Sequence, residues 1–185
     1  MEVFAVSAGL VAVAEIGDKT QLLALLLAAR YRRPGAVILG ILVATLANHA
    51  LAAWAGAAAA AWLGPAALRW ILVGSFLAMA AWCLVPDKPE QGSRAVDRAG
   101  AFLATTLAFF LVEIGDKTQL ATVALAARFE ALLAVTLGTT AGMMLANVPA
   151  VLFGEALTRR VRLGVVRILS AVSFLGLAIL GLIAT

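Results

Sequence analysis

The octapeptide Glu15-Ile16-Gly17-Asp18-Lys19-Thr20-Gln21-Leu22 returns letter for letter from Glu113 to Leu120. Each copy offers two carboxylates, an ammonium group, a hydroxyl and a carboxamide, and neither contains cysteine or histidine. An all-oxygen set of this kind suits Ca2+, Mn2+ or Mg2+ better than Zn2+ or Cu+. Together the copies hold four acids against two lysines, a formal −2 that one divalent cation neutralises. Glu15, Asp18, Glu113 and Asp116 are therefore the expected metal ligands. Thr20, Gln21, Thr118 and Gln119 rank behind them as supporting neutral ligands, because on a regular helix the threonines turn away from the face that Glu15 and Asp18 share. Lys19 and Lys117 can pair with a carboxylate when metal is absent, which keeps the acids from repelling one another. A metal-free cluster of this kind cannot stay fully ionised in an apolar setting, so protons take the vacancy. Glu15 and Glu113 are the expected proton carriers, and glutamine at either position is expected to abolish metal-for-proton exchange.

The elements that must position these groups are oily. The chain has 185 residues, 64% of them hydrophobic and only 13% charged, with a mean hydropathy of +1.05. That balance is foreign to a soluble domain. About 20 apolar residues cross a bilayer as helix, and six such runs are visible: Val3 to Ala28, Ala36 to Ala61, Leu68 to Val85, Ala101 to Ala127, Ala131 to Phe153 and Leu163 to Ile183. The alternating strands of a membrane barrel are absent from the sequence. A charge at the centre of a spanning helix costs about 2.5–3.5 kcal/mol on insertion scales, and each motif puts three there. Pairing of Glu15 and Asp18 with Lys19, and of Glu113 and Asp116 with Lys117, would offset part of this and simply fix packing. It leaves one acid in excess per copy. Gly17 and Gly115 permit either close helix packing or a local break that frees backbone carbonyls.

The repeat extends well beyond the octapeptide. At an offset of 98 positions Gly40 meets Gly138, Gly56 meets Gly154, Arg69 meets Arg167, and the run from Ser75 meets the run from Ser173. Each copy contains three spans, so the second enters the membrane from the opposite side. The expected fold is an all-α integral membrane protein of six transmembrane helices, arranged as two inverted three-helix repeats at 1–86 and 99–185 around a cytoplasmic linker at 87–98. Inverted repeats commonly place a site near the midplane and alternate its access by rocking one bundle against the other. Arg30, Arg32, Arg33, Lys88, Arg94, Arg98, Arg159, Arg160, Arg162 and Arg167 fall on one side, against Arg69 and Arg128 on the other. The positive-inside rule makes the first side cytoplasmic and puts both termini outside.

Three further polar residues lie within spans. Asn48 and Asn147 are expected to bridge helices or orient site carboxylates, and His49 to pack or to modulate proton coupling. The lone Cys83 offers neither a disulfide nor a thiol cluster. Ala12-Val13-Ala14 imitates a signal-peptidase site, but Met1-Glu2 gives no basic region before it, so no cleavage is expected. The pI near 10.0 reflects the arginines at span ends, so no nucleic-acid partner is expected. The expected partners are a divalent metal ion, protons and the lipid bilayer, and nothing marks an oligomeric state. Two other classes fit parts of the pattern. An intramembrane aspartyl protease would use Asp18 and Asp116, although a glutamate three residues before and a lysine beside each aspartate upset a proton-sharing dyad. A passive cation channel usually needs a symmetric ring of subunits, whereas an inverted duplication makes a two-sided carrier within one chain.

Two copies of E-x-G-D-K-[ST], each in the first span of a three-helix repeat, resemble the Gdt-type family of cation/proton exchangers, which includes bacterial manganese exporters and Golgi manganese/calcium transporters. Glu15, Gly17, Asp18, Lys19 and Thr20, with Glu113, Gly115, Asp116, Lys117 and Thr118, keep every motif position. The resemblance implies a non-enzymatic transporter that moves Mn2+, and Ca2+ as the alternative, out of the cytosol against protons, with the motif acids as cation ligands. The ion is then cargo and no resident cofactor is expected. The implied location is a bacterial plasma (inner) membrane.

Overall fold

A glycine in each motif ends one helix and allows the next to begin. The computed structural model describes residues 1–63, 65–85, 100–153 and 163–183, and the elements among them are helices. In chain order they are α1 (Glu2–Glu15), α2 (Lys19–Tyr31), α3 (Pro34–Trp62), α4 (Pro65–Cys83), α5 (Gly100–Glu113), α6 (Lys117–Phe129), α7 (Leu132–Phe153) and α8 (Leu163–Ile183). The expected linker at 87–98 and the basic residues Arg159, Arg160 and Arg162 lie outside the described residues.

The sequence pattern predicts single spans over Val3 to Ala28 and Ala101 to Ala127, but the structure divides each in two. Gly17 and Gly115 have φ of 78° and 76°, where a side chain costs about 1–2 kcal/mol. A Cβ on Gly115 would meet nothing within 4 Å. The glycine there supplies a turn and not a close contact. Asp18 and Asp116 follow in extended backbone as N-caps of α2 and α6. The Asp116 carboxylate accepts from the Thr118 amide at 3.4 Å. The Gly17 N–H donates to Gln21 Oε1 at 2.9 Å, and the Gly115 N–H to Gln119 Oε1 at 2.7 Å. In the second copy Asp-Lys-Thr-Gln thus works as a variant of the capping box, and in both copies the glutamine reaches back over the start of the helix.

By length and composition three described helices can cross a membrane: Pro34–Trp62, Ala66–Cys83 and Leu132–Phe153. At 14 and 13 residues, α1 and α2 span only about 20 Å each. Contacts along the longer helices show how the short ones are laid out. A Cβ on Gly40 of α3 would lie 2.8 Å from the Phe102 carbonyl and 2.7 Å from Thr105 Cβ. Further along α3, Asn48 reaches the Phe110 carbonyl and Gly56 lies against Val123 and Ala126. So α5 and then α6 run parallel to α3, one after the other. The same holds for the other copy. Gly138 of α7 lies against Phe4 and Ser7, Gly142 against Ala8 and Ala12, and Gln21 of α2 donates to the Ala146 carbonyl at 2.9 Å.

Meanwhile α1 packs on α6 and α2 on α5, which sets the two broken rods antiparallel. Helices α4 and α8 lie side by side. Their Phe76 and Phe174, equivalent at the 98-residue offset, stack on one another with ring centroids 6.5 Å apart. Equivalent residues touch in this way where a two-fold relation passes between them. One apolar cluster gathers around Phe76 and Phe174. A second joins Leu23 and Leu27 of α2, Val37 and Ile41 of α3, Phe109 of α5 and Val151 of α7. Between them they clamp both breaks.

Candidate functional site

Each break presents its acids at the junction of two half-helices. Glu15 closes α1 and Glu113 closes α5, while Asp18 and Asp116 stand at the N-cap positions of the helices that follow, where the Asp116 side chain accepts from the Thr118 N–H. All four are buried, with exposures of 0%, 1%, 1% and 2% for Glu15, Asp18, Glu113 and Asp116. Glu15 and Asp18 are therefore brought together by the chain break and not by the i,i+3 geometry of a regular helix. The break also takes the last carbonyls of α1 and α5 out of the intrahelical ladder, and those of Glu15 and Glu113 accept instead from the Asp18 and Asp116 N–H groups, each at 3.0 Å.

The copies meet at this level. Glu15, Asp18 and Asp116 each direct one carboxylate oxygen into a group whose members lie within 4.8 Å of one another. The lysines pair across the copies: Lys117 Nζ lies 2.5 Å from Asp18 Oδ1, and Lys19 Nζ 3.4 Å from Asp116 Oδ1. Each ammonium thus neutralises the acid of the other repeat, and the pairs hold the two breaks together. Lys117 is buried with Asp18, whereas 16% of the Lys19 side chain is exposed.

Glu113 stands outside that group. Thr45 Oγ1 donates to its Oε1 at 2.8 Å and Asn48 Nδ2 to its Oε2 at 3.1 Å. Asn48 so orients a motif carboxylate and, through the Phe110 carbonyl at 3.0 Å, also ties α3 to α5. Thr45 escaped the sequence reading, although it stands one helical turn before Asn48 on the same face of α3. By contrast, neither carboxylate oxygen of Glu15 finds a hydrogen-bond donor among the described residues.

The neutral groups divide. Thr118 Oγ1 donates to Asp116 Oδ2 at 3.2 Å. Thr20 is fully buried, and its hydroxyl has no hydrogen-bond partner among the described residues. The carboxamide oxygens of Gln21 and Gln119 are occupied by the glycine N–H groups of the breaks. His49 is buried, with both ring nitrogens unpartnered among the described residues. Asn147 stands at the equivalent position of the other copy and donates to the Met143 carbonyl at 3.1 Å.

This geometry joins hard oxygen donors from both repeats, four acids against two lysines, and one buried and one partly exposed ammonium group paired with the acids. Comparison with known proteins adds identity. The family model described as "Divalent cation/proton antiporter GDT1" matches residues 3–91 and 101–185. A protein of Vibrio cholerae serotype O1 named "Putative manganese exporter" is 53% identical over 180 residues, covering 97% of this chain and 90% of that protein. No solved structure matches the chain.

Proposed function

The chain belongs to the divalent cation/proton antiporter GDT1 family, and from that premise we propose that it exports Mn2+ from the cytosol in exchange for protons, with Ca2+ as the alternative cargo. The ion site is built on the motif carboxylates at the meeting of the two repeats. The observation that carries this reading is the convergence of Glu15, Asp18 and Asp116 from both copies, cross-paired with Lys117 and Lys19. Manganese is preferred because the relative from Vibrio cholerae is named for it; the all-oxygen donors suit Mn2+, and suit Ca2+ and Mg2+ as well.

Six membrane crossings in two inverted repeats are the architecture this reading uses. It is supported by the parallel course of α5 and α6 along α3 and of α1 and α2 along α7, and by the antiparallel setting of the broken rods. In such carriers discontinuous helices commonly form the substrate site and one bundle rocks against the other. Metal and protons compete for the same oxygens: a dication entering from the cytosol releases protons to the cytosol and pushes the lysines off Asp18 and Asp116, and protons entering from outside, as the dication leaves there, let the pairs re-form. The arginine distribution supports a cytoplasmic central linker and termini outside, in a plasma (inner) membrane. A proteolytic dyad gains no support, since Asp18 and Asp116 each face a lysine of the other copy.

Reconstituted protein given an imposed pH gradient and offered Mn2+, Ca2+ or Mg2+ separately tests the proposal. Uphill accumulation of Mn2+ against the proton flow, lost in Glu15→Gln, is the expected result. Movement of Mn2+ only down its own gradient makes the protein a channel and overturns the exchange.

A further inference from the structure

The two copies of the motif are identical in sequence, yet they are not held alike. The residues that face Glu113 from α3 are Thr45 and Asn48, which donate to both of its oxygens. At the 98-residue offset their counterparts on α7 are Met143 and Ala146. Neither has a side chain able to donate to a carboxylate. The packing around them is otherwise matched: α3 lies along α5 as α7 lies along α1, and Gly40 and Gly138 make equivalent close approaches. Accordingly, Glu113 is fixed to α3, while Glu15 has no donor among the described residues and one of its oxygens joins the group with Asp18 and Asp116.

Resting on the cation-exchange reading above, we infer that Thr45 and Asn48 are positioning residues that hold Glu113 out of the ion-binding group, so that the two motifs do unlike work. Glu15, Asp18 and Asp116 take and release the ion. Glu113 anchors the end of α5 to α3. Two charge-assisted hydrogen bonds satisfy a buried carboxylate well and resist its reorientation. Withholding a fourth carboxylate has a use, because the affinity of an oxygen site rises with the number of charged ligands and a carrier must let its cargo go. The motifs are identical in sequence, and residues on the neighbouring helices, outside either motif, make their surroundings different.

The test uses the full-length protein, with MnCl2 binding measured by titration in detergent and proton-driven Mn2+ transport measured in proteoliposomes. Thr45→Val combined with Asn48→Leu frees Glu113 to join the group. The expected result is Mn2+ binding about fivefold tighter with turnover reduced to a similar degree, as a fourth charged ligand implies. Thr45→Ser, which keeps the donor, is expected to bind Mn2+ as the wild type does. In the same assay Glu15→Gln weakens binding about tenfold or more, and Glu113→Gln less than about threefold. Met143→Thr with Ala146→Asn transplants the donors to Glu15 and is expected to weaken binding. Weaker binding in the Thr45 and Asn48 variants, or equal losses in Glu15→Gln and Glu113→Gln, makes Glu113 an ordinary ligand and overturns the inference while the exchange stands. If the Thr45 and Asn48 variants do not fold, the two glutamate variants decide alone. Wild-type protein that neither binds nor moves Mn2+ overturns the exchange reading and this inference together.

Discussion

Lys117 and Asp18 form the more deeply buried of the two cross-repeat pairs, with side-chain exposures of 5% and 0%. The value of such a pair is conditional. Assembling it from two hydrated ions gains little, but removing one partner strands a charge in a medium that cannot solvate it. Lys117→Met is therefore expected to cost about 3 kcal/mol of stability, read as a lowered midpoint in chemical unfolding. Adding Asp18→Asn removes the stranded charge and recovers most of the loss. The more accessible Lys19 should show a smaller effect, since solvent screens its pair with Asp116. Saturating Mn2+ should narrow the deficit of Lys117→Met, because a bound dication supplies the missing positive charge. A deficit unchanged by Mn2+ would separate the lysine from the ion site.

At the scale of the element, the joint within each broken rod depends on a glutamine. Gln21 accepts from the Gly17 N–H and donates to the Ala146 carbonyl, so a single carboxamide closes the turn and ties it to α7. Gln21→Leu removes both bonds and leaves polar backbone groups unsatisfied, at an expected cost of about 2 kcal/mol. Protease susceptibility of the turn and a lowered melting temperature check it, and an unchanged melt would mean that the turn is held by its glycine alone. Much of this was legible beforehand: the apolar runs marked helices, and the acids were expected to converge from both copies. The break itself was less so. Hydropathy averages over Gly17 and Gly115, and two half-helices in succession read as one rod; the glycines left a break open beside close packing, and Asp-Lys-Thr-Gln, read as a capping signal, favours the break. Cross-repeat pairing of Lys19 and Lys117, and the role of Thr45, were invisible because they depend on which face of a distant helix arrives at the site.

For the molecule as a whole, the charge on the two motifs constrains the exchange. Glu15, Asp18, Glu113 and Asp116 against Lys19 and Lys117 carry a formal −2 when all are ionised, in a setting where uncompensated charge is costly. One divalent ion cancels that charge, and so do two protons. A carrier that rearranges only in its neutral forms therefore exchanges two protons for each ion and moves no net charge. A pH difference of about one unit should then sustain a Mn2+ ratio of about a hundredfold, each tenfold step being worth about 1.4 kcal/mol. The ratio should not respond to membrane potential. Clamping vesicles with a potassium gradient and valinomycin at about 60 mV offers about 1.4 kcal/mol to any net charge moved, enough to shift an electrogenic exchange tenfold. A ratio that stays constant supports neutral exchange. A tenfold shift would mean that one charge is left uncompensated during the crossing, and the Glu113 carboxylate, fixed to α3 away from the group, would then be the first residue to examine by repeating the measurement in Glu113→Gln.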